Sequence, residues 1–254
     1  PVSLAVVVSA RLRRQRVVLE VNGPPDDIVG KRPALRHLIP LLRSLLRCSL
    51  TLSDRCVVPT SGMEEYLRRL GTTRPVAVIP AGFDSEVFNP GEPSGSDRYV
   101  VFVGANTRWQ GVDLLVAAAG RPDWPPDVGL TLVGPFTAAD FPSSSIAPNI
   151  TLTGELPPAE VARVLRGALA SVSPKTYQAV GRQQTGQAPL KVYEAMGCGV
   201  PCVVTDVPIQ NTIVHEHRCG IVVEPGDSAA LARAVTTYAR DPALRQLHAR
   251  NAAQ

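Results

Sequence analysis

The chain has 254 residues, of which 44% are hydrophobic and 19% charged, and a formal net charge of +4. These values describe a globular protein of one large domain or two small ones and exclude a disordered, collagenous or coiled-coil chain. No apolar run approaches the ~18–20 residues that cross a bilayer.

Short β-rich runs alternate with helical stretches from end to end, which is the pattern of parallel sheets covered by helices. The stretch Leu4 to Ala10 is apolar but shorter than one strand-helix unit, and Arg11, Arg13, Arg14 and Arg16 follow it. A secretory signal places its cations before the apolar part, so a cytoplasmic location is expected. Arg16 to Asn22 reads as a buried strand, and residues 33–50 as a helix kinked at Pro40. Arg55 to Pro59 and Val76 to Pro80 read as strands around a helix over 61–70, which Ser61 caps with Glu64 in the capping-box position. Residues 1–89 thus form a first, thin domain. Residues 90–98, PGEPSGSDR, are mostly turn formers and read as a linker. From Tyr99 the rhythm restarts, with strands at 99–103, 129–133, 150–153, 170–173, 201–205 and 220–223 and helices at 111–120, 158–169, 189–197 and 227–239. Residues 99–254 are about the size of a complete nucleotide-binding α/β domain.

Charge and cysteine patterns narrow the partners. Residues 1–55 hold ten Lys/Arg against four Asp/Glu, a net +6, while the remainder carries −2. The positive charge is therefore a local face, and no nucleic-acid partner is expected. Leucines recur at helical spacing over 35–46 beside Lys31, Arg32, Arg36, Arg43 and Arg47. Such a helix either packs on its own sheet or lies on an anionic membrane surface, and the first reading carries slightly more weight. Five cysteines without a Cys-x-x-Cys pair point to a reducing compartment, with neither disulfide nor structural zinc expected.

The segment TGQAPLKVYEAMGCGVPCVVT, residues 185–205, carries the chemistry. Pro189 suits the first position of a helix, whose free amides and positive dipole end face whatever lies ahead of it. Lys191 in the first turn and Glu194 three residues later share one face. A cation suits a phosphate, and a carboxylate suits a ribose diol. An ordinary solvated Lys-Glu pair has the same spacing.

The run PLKVYEAMGCGVP, taken with VIPAGFDSEVF (78–88), VFVGANTRWQGVDLLVAA (101–118), LTLVG (130–134), ITLTGELP (150–157) and GIVVEPGD (220–227), resembles the family 4 retaining glycosyltransferases. The resemblance covers nearly the whole chain in the same motif order. It implies the GT-B fold, two Rossmann-like α/β domains facing across a cleft, of which the first here is incomplete because its opening strands and glycine-rich loop are missing. It also implies a nucleotide-sugar donor, which is a substrate and not a cofactor, a glycan or lipid-linked acceptor, and no metal held by the protein. On that resemblance Glu194 holds the donor ribose. Gly186, Pro189, Leu190 and Lys191 face the sugar and diphosphate, Gly104 lies in the loop after the first strand, and Gly154 with Glu155 frames the base.

Departures from the family pattern qualify the picture. Gly186 stands where a Glu is usual, and Ala105 and Gln110 stand where an Arg and a Lys usually bind the diphosphate. Lys191 and Arg108 are therefore the expected catalytic cations. Asn22 replaces a frequent His. A non-catalytic nucleotide-binding module is the alternative. An NAD enzyme is disfavoured, because Gly197-Cys198-Gly199 lies between a helix and a strand instead of a strand and a helix. His215 and His217 have alternate spacing without a third metal ligand and read as a surface turn, and Trp109 either packs at the cleft or fills the interface behind Arg108, the structural role carrying more weight.

Overall fold

The structure, a computed structural model, describes residues 3–26, 33–91, 98–141, 147–176 and 189–254. The chain falls into two compact units that divide between Ala81 and Gly82. This is earlier than the expected boundary at 89. The reason is Phe88, which is buried with Val101, Ala195 and Met196, so the stretch after Gly82 already belongs to the second core. Of the expected linker 90–98, residues 92–97 lie outside the described residues.

The first unit contains α1 (Ser3–Leu12), β1 (Val18–Glu20), a 3-10 turn (Pro33–Leu38), α2 (Ile39–Leu52), β2 (Arg55–Val58), α3 (Ser61–Arg69) and β3 (Val76–Val78). Its three strands form a parallel sheet in the order β1-β2-β3. Val7, Leu19, Leu50, Cys56, Met63 and Leu67 fill the core between sheet and helices. The apolar stretch Leu4 to Ala10 is helical, and Asp54 anchors its end by accepting from Arg11 Nη2 at 2.8 Å and from the Val17 amide at 2.7 Å.

Two local expectations are corrected. Pro40 does not kink a continuous helix. It sits in the first turn of α2, where its missing N–H costs nothing, and the preceding residues form a separate 3-10 turn. The cap of α3 is Thr60, whose hydroxyl accepts from Met63 N at 3.1 Å, while Glu64 pairs with Arg68. On the basic helix Arg43 bonds to Asp26 and Arg47 Nε donates to the Leu70 carbonyl, which favours the packed reading for this face. Among the described residues no helix is long and apolar enough to cross a membrane.

The second unit is a six-stranded parallel sheet in the order β6-β5-β4-β7-β8-β9. Its strands are β4 (Tyr99–Val103), β5 (Gly129–Val133), β6 (Ile150–Gly154), β7 (Ala170–Ser173), β8 (Cys202–Thr205) and β9 (Gly220–Val223). The helices are α4 (Val112–Ala119), α5 (Pro158–Gly167), α6 (Leu190–Gly197), α7 (Gln210–His217), α8 (Ser228–Arg240) and α9 (Pro242–Ala252). The strands are apolar on both faces because both are covered. Along β4, Val100 and Phe102 point into one core with α4 and α8, while Val101 points into the other with α5, α6 and α7. The expected strands and helices of this unit are present within one or two residues. The chain also forms α7 and α9, which the sequence pattern did not announce, and His215 and His217 lie exposed on α7 instead of in a turn.

Candidate functional site

Chain order reverses in the second sheet between β4 and β7, which are neighbours. This is the topological switch point at which open α/β sheets bind ligands, beyond the carboxyl ends of the strands. The loops leaving these two strands are in backbone contact. After β4 a 3-10 turn (Arg108–Gln110) ends at Gly111, which has φ +69°. A Cβ there would lie 1.9 Å from the Pro174 carbonyl oxygen, just past β7, so only glycine fits. The Thr176 amide donates to the Trp109 carbonyl at 3.0 Å, joining the same loops.

Lys191, in the first turn of α6, reaches into this junction and is only 8% exposed. Its Nζ donates to Gln110 Oε1 at 2.7 Å and lies 3.8 Å from the centroid of the Phe102 ring. Gly104 makes the room, since a Cβ on it would come within 2.8 Å of Nζ. Burial holds the Lys191 ammonium well below its ordinary pKa, the neighbouring Lys175 charge lowers it further, and Glu194 opposes both. Glu194 itself is half-buried, and its carboxyl pKa is raised by burial and drawn back by Lys191. The expected Lys191 and Glu194 therefore face one another electrostatically at the switch point.

The other expected residues are placed as follows. Pro189 is buried but caps α6 instead of occupying its first turn, and Leu190 is exposed. Gly104 N donates to the Val133 carbonyl at 2.9 Å, and Gly134 N to the Gly154 carbonyl at 3.0 Å, so the ends of β4, β5 and β6 form one continuous edge. Gly154, at φ +74°, closes that edge with Glu155 exposed beside it, two strands away from β4. Arg108 lies on the exposed side of its 3-10 turn. Gly186 lies outside the described residues, and Asn22 is exposed after β1 in the first unit.

Three residues escaped the sequence reading. Gln110, noted only as a missing lysine, is the acceptor that holds Lys191. Trp109, expected to pack, is half-buried, and the unexpected feature is the Lys175 ammonium 5.4 Å over its ring. Gln210 is fully buried, accepts from Ser173 Oγ at 2.9 Å and donates to Thr205 Oγ1 at 2.8 Å, which ties the ends of β7 and β8 together. Gln210 opens α7 after a non-glycine residue with positive φ, Ile209, and no spacing rule marks it.

Over residues 97–241 the sequence matches the family described as glycosyl transferases group 1. The chain belongs to that family. The alpha-maltose-1-phosphate synthase of Mycolicibacterium smegmatis is 29% identical over 228 residues, covering 77% of this chain and 56% of that protein. The D-inositol 3-phosphate glycosyltransferase of Segniliparus rotundus is 28% identical over 193 residues, covering 68% and 41%. The chain thus spans about half the length of the curated relatives it matches. Among solved structures, the sucrose-phosphate synthase of Thermosynechococcus elongatus superposes with a TM-score of 0.73 at 23% identity, covering 97% of this chain and 65% of that one. HepE of Anabaena in complex with UDP-glucose gives 0.74 at 19%, covering 99% and 70%. The fold of this group 1 glycosyltransferase chain is accordingly the GT-B α/β fold, with three strands in its first unit and a six-stranded Rossmann-like second unit.

Proposed function

We propose that this chain binds a nucleotide-sugar at the β4/β7 switch point and serves a glycosyltransferase that moves the sugar to an acceptor hydroxyl with retained anomeric configuration. The observation that carries the reading is the Lys191 ammonium, buried with no carboxylate bonded to it among the described residues and set at the place where this sheet topology presents ligands. A buried cation of this kind gains most from a ligand that brings negative charge, and a nucleoside diphosphate brings at least two. The solved HepE structures hold UDP and UDP-glucose, which accords with such a donor.

In this reading Lys191, the first amides of α6 and Arg108 stabilise the charge that grows on the departing diphosphate as its bond to the anomeric carbon breaks. Placing these donors in a dry site multiplies their effect over that in water. Glu194 accepts the ribose hydroxyls, and the Gly154–Glu155 end of β6 meets the base. Isothermal titration of UDP, GDP and ADP tests the site, with micromolar binding of at least one expected. Failure of all three to bind would refute the proposal, and binding without transfer or hydrolysis of any corresponding nucleotide-sugar by the whole protein would leave a non-catalytic binding module.

A further inference from the structure

Lys175, two residues beyond β7, is as buried as Lys191, at 9% exposure. Its ammonium sits 5.4 Å over the Trp109 ring. Its backbone is pinned, because its carbonyl accepts from Thr205 Oγ1 at 2.7 Å and that hydroxyl accepts from the buried Gln210 amide. Among the described residues the charged group that senses it is Lys191, from α6, which in turn senses the Glu194 carboxylate. Among the described residues no acidic group shifts its titration, and burial alone brings its pKa down to about 8. Two buried amines therefore lie beyond the carboxyl ends of the strands, Lys175 after β7 and Lys191 in the first turn of α6, and the Lys175 charge is felt at Lys191. Like charges buried together repel, and an aromatic ring offsets only part of the lost hydration. A dianion that reaches both amines offsets both penalties.

Building on the donor-site reading above, we propose that Lys175 is a second cation for the donor diphosphate, gripping it jointly with Lys191 across the ends of β4 and β7. The free protein at pH 8.5 holds much of Lys175 in its neutral form, and an arriving phosphate anion favours the charged form, so binding takes a proton from solvent. Lys175 is invisible to motif reading because its burial depends on Trp109, which comes from a distant loop.

The test is calorimetric titration of inorganic pyrophosphate and of UDP at pH 8.5, in two buffers of different ionisation enthalpy, on the wild-type chain, Lys175→Met and Lys175→Arg. Met keeps the apolar stem against Trp109, and Arg keeps a charge that does not titrate. The expected results are proton uptake in the wild type, a roughly 10–100-fold loss of pyrophosphate affinity in Lys175→Met, and affinity within about threefold in Lys175→Arg with reduced uptake. Undiminished pyrophosphate affinity in Lys175→Met overturns the assignment. So does proton uptake in Lys175→Arg equal to that of the wild type, which would place the titration on Lys191. Should the Met variant not fold, the Arg variant decides alone. Wild-type protein that binds neither probe fails the donor-site reading itself, and the Lys175 assignment falls with it.

Discussion

Replacing Glu194 with Ala separates the two halves of the proposed donor. The Glu194 carboxylate is half-buried on α6 and its pKa is raised chiefly by burial, so it is incompletely solvated in the free protein. Its removal relieves a penalty, and the apo protein should melt no earlier than wild type at pH 7. Raised above its unfolded value, this group binds more protons in the folded state, so its contribution falls as pH rises through the raised pKa, and the variant should lack that fall. Binding behaves differently. A hydrogen bond to a charged group is worth about 1.5–3 kcal/mol, so a nucleoside diphosphate should bind about 10–150-fold more weakly. Pyrophosphate has no ribose, and the Ala variant removes a negative charge near Lys191, so pyrophosphate should bind the variant at least as tightly as wild type. Calorimetry with both ligands reads the difference directly. Equal weakening of the two would show that Glu194 acts through Lys191, by favouring its charged form, and not on the ribose, and an unchanged nucleotide affinity would remove it from the site.

Other consequences follow from the same geometry. Folded Lys175 titrates at about 8 against 10.5 in the unfolded chain, so the unfolded state binds more protons between these values and apo stability should rise with pH across that window, by about 3 kcal/mol for this group. Urea titrations from pH 7.5 to 10.5 should show the rise in wild type and its loss in Lys175→Met; parallel curves would contradict the burial argument. Gln210→Leu leaves Ser173 and Thr205 groups unpaired inside the protein and should cost about 3–5 kcal/mol by chemical denaturation, with a loss under about 1 kcal/mol contradicting the network. Gly111→Ala combines a left-handed backbone with a backbone clash and should cost at least about 3 kcal/mol. Gly71→Ala, at φ +91° with open space around it, should cost only about 1–2 kcal/mol. Equal losses in the two glycine variants would show that strain alone, and not contact with Pro174, sets the price.

How far the sequence discloses this molecule depends on the range of the interactions involved. The strands at 99–103, 129–133, 170–173 and 220–223 are found where periodicity places them, because their near-continuous apolar runs are a local property. Helix α1 was missed because a short apolar run without capping residues does not distinguish helix from strand. Helices α7 and α9 escaped for another reason, since α7 starts after a strained residue, Ile209, and α9 follows an Asp241 cap shared closely with the end of α8. The Lys191–Glu194 pair is visible as spacing on one helix. Lys175, Gln110 and Trp109 are not, because their roles arise only when the loops of β4 and β7 are brought together by sheet order. The domain boundary moved for the same reason, as Phe88 joins a core built from residues well beyond it.

Gly104 and Gly134 lie at the ends of adjacent strands, and a methyl group on the second would fall 2.0 Å from the carbonyl oxygen of the first. The main chain at the ends of β4 and β5 is consequently packed too closely to carry a side chain at either position. Substitution is thereby excluded at these two positions and left to exposed neighbours such as Ala105 and Asn106. A strand edge made of close-packed backbone keeps its shape whatever side chains surround it, which makes it a fixed platform for the loops that leave it.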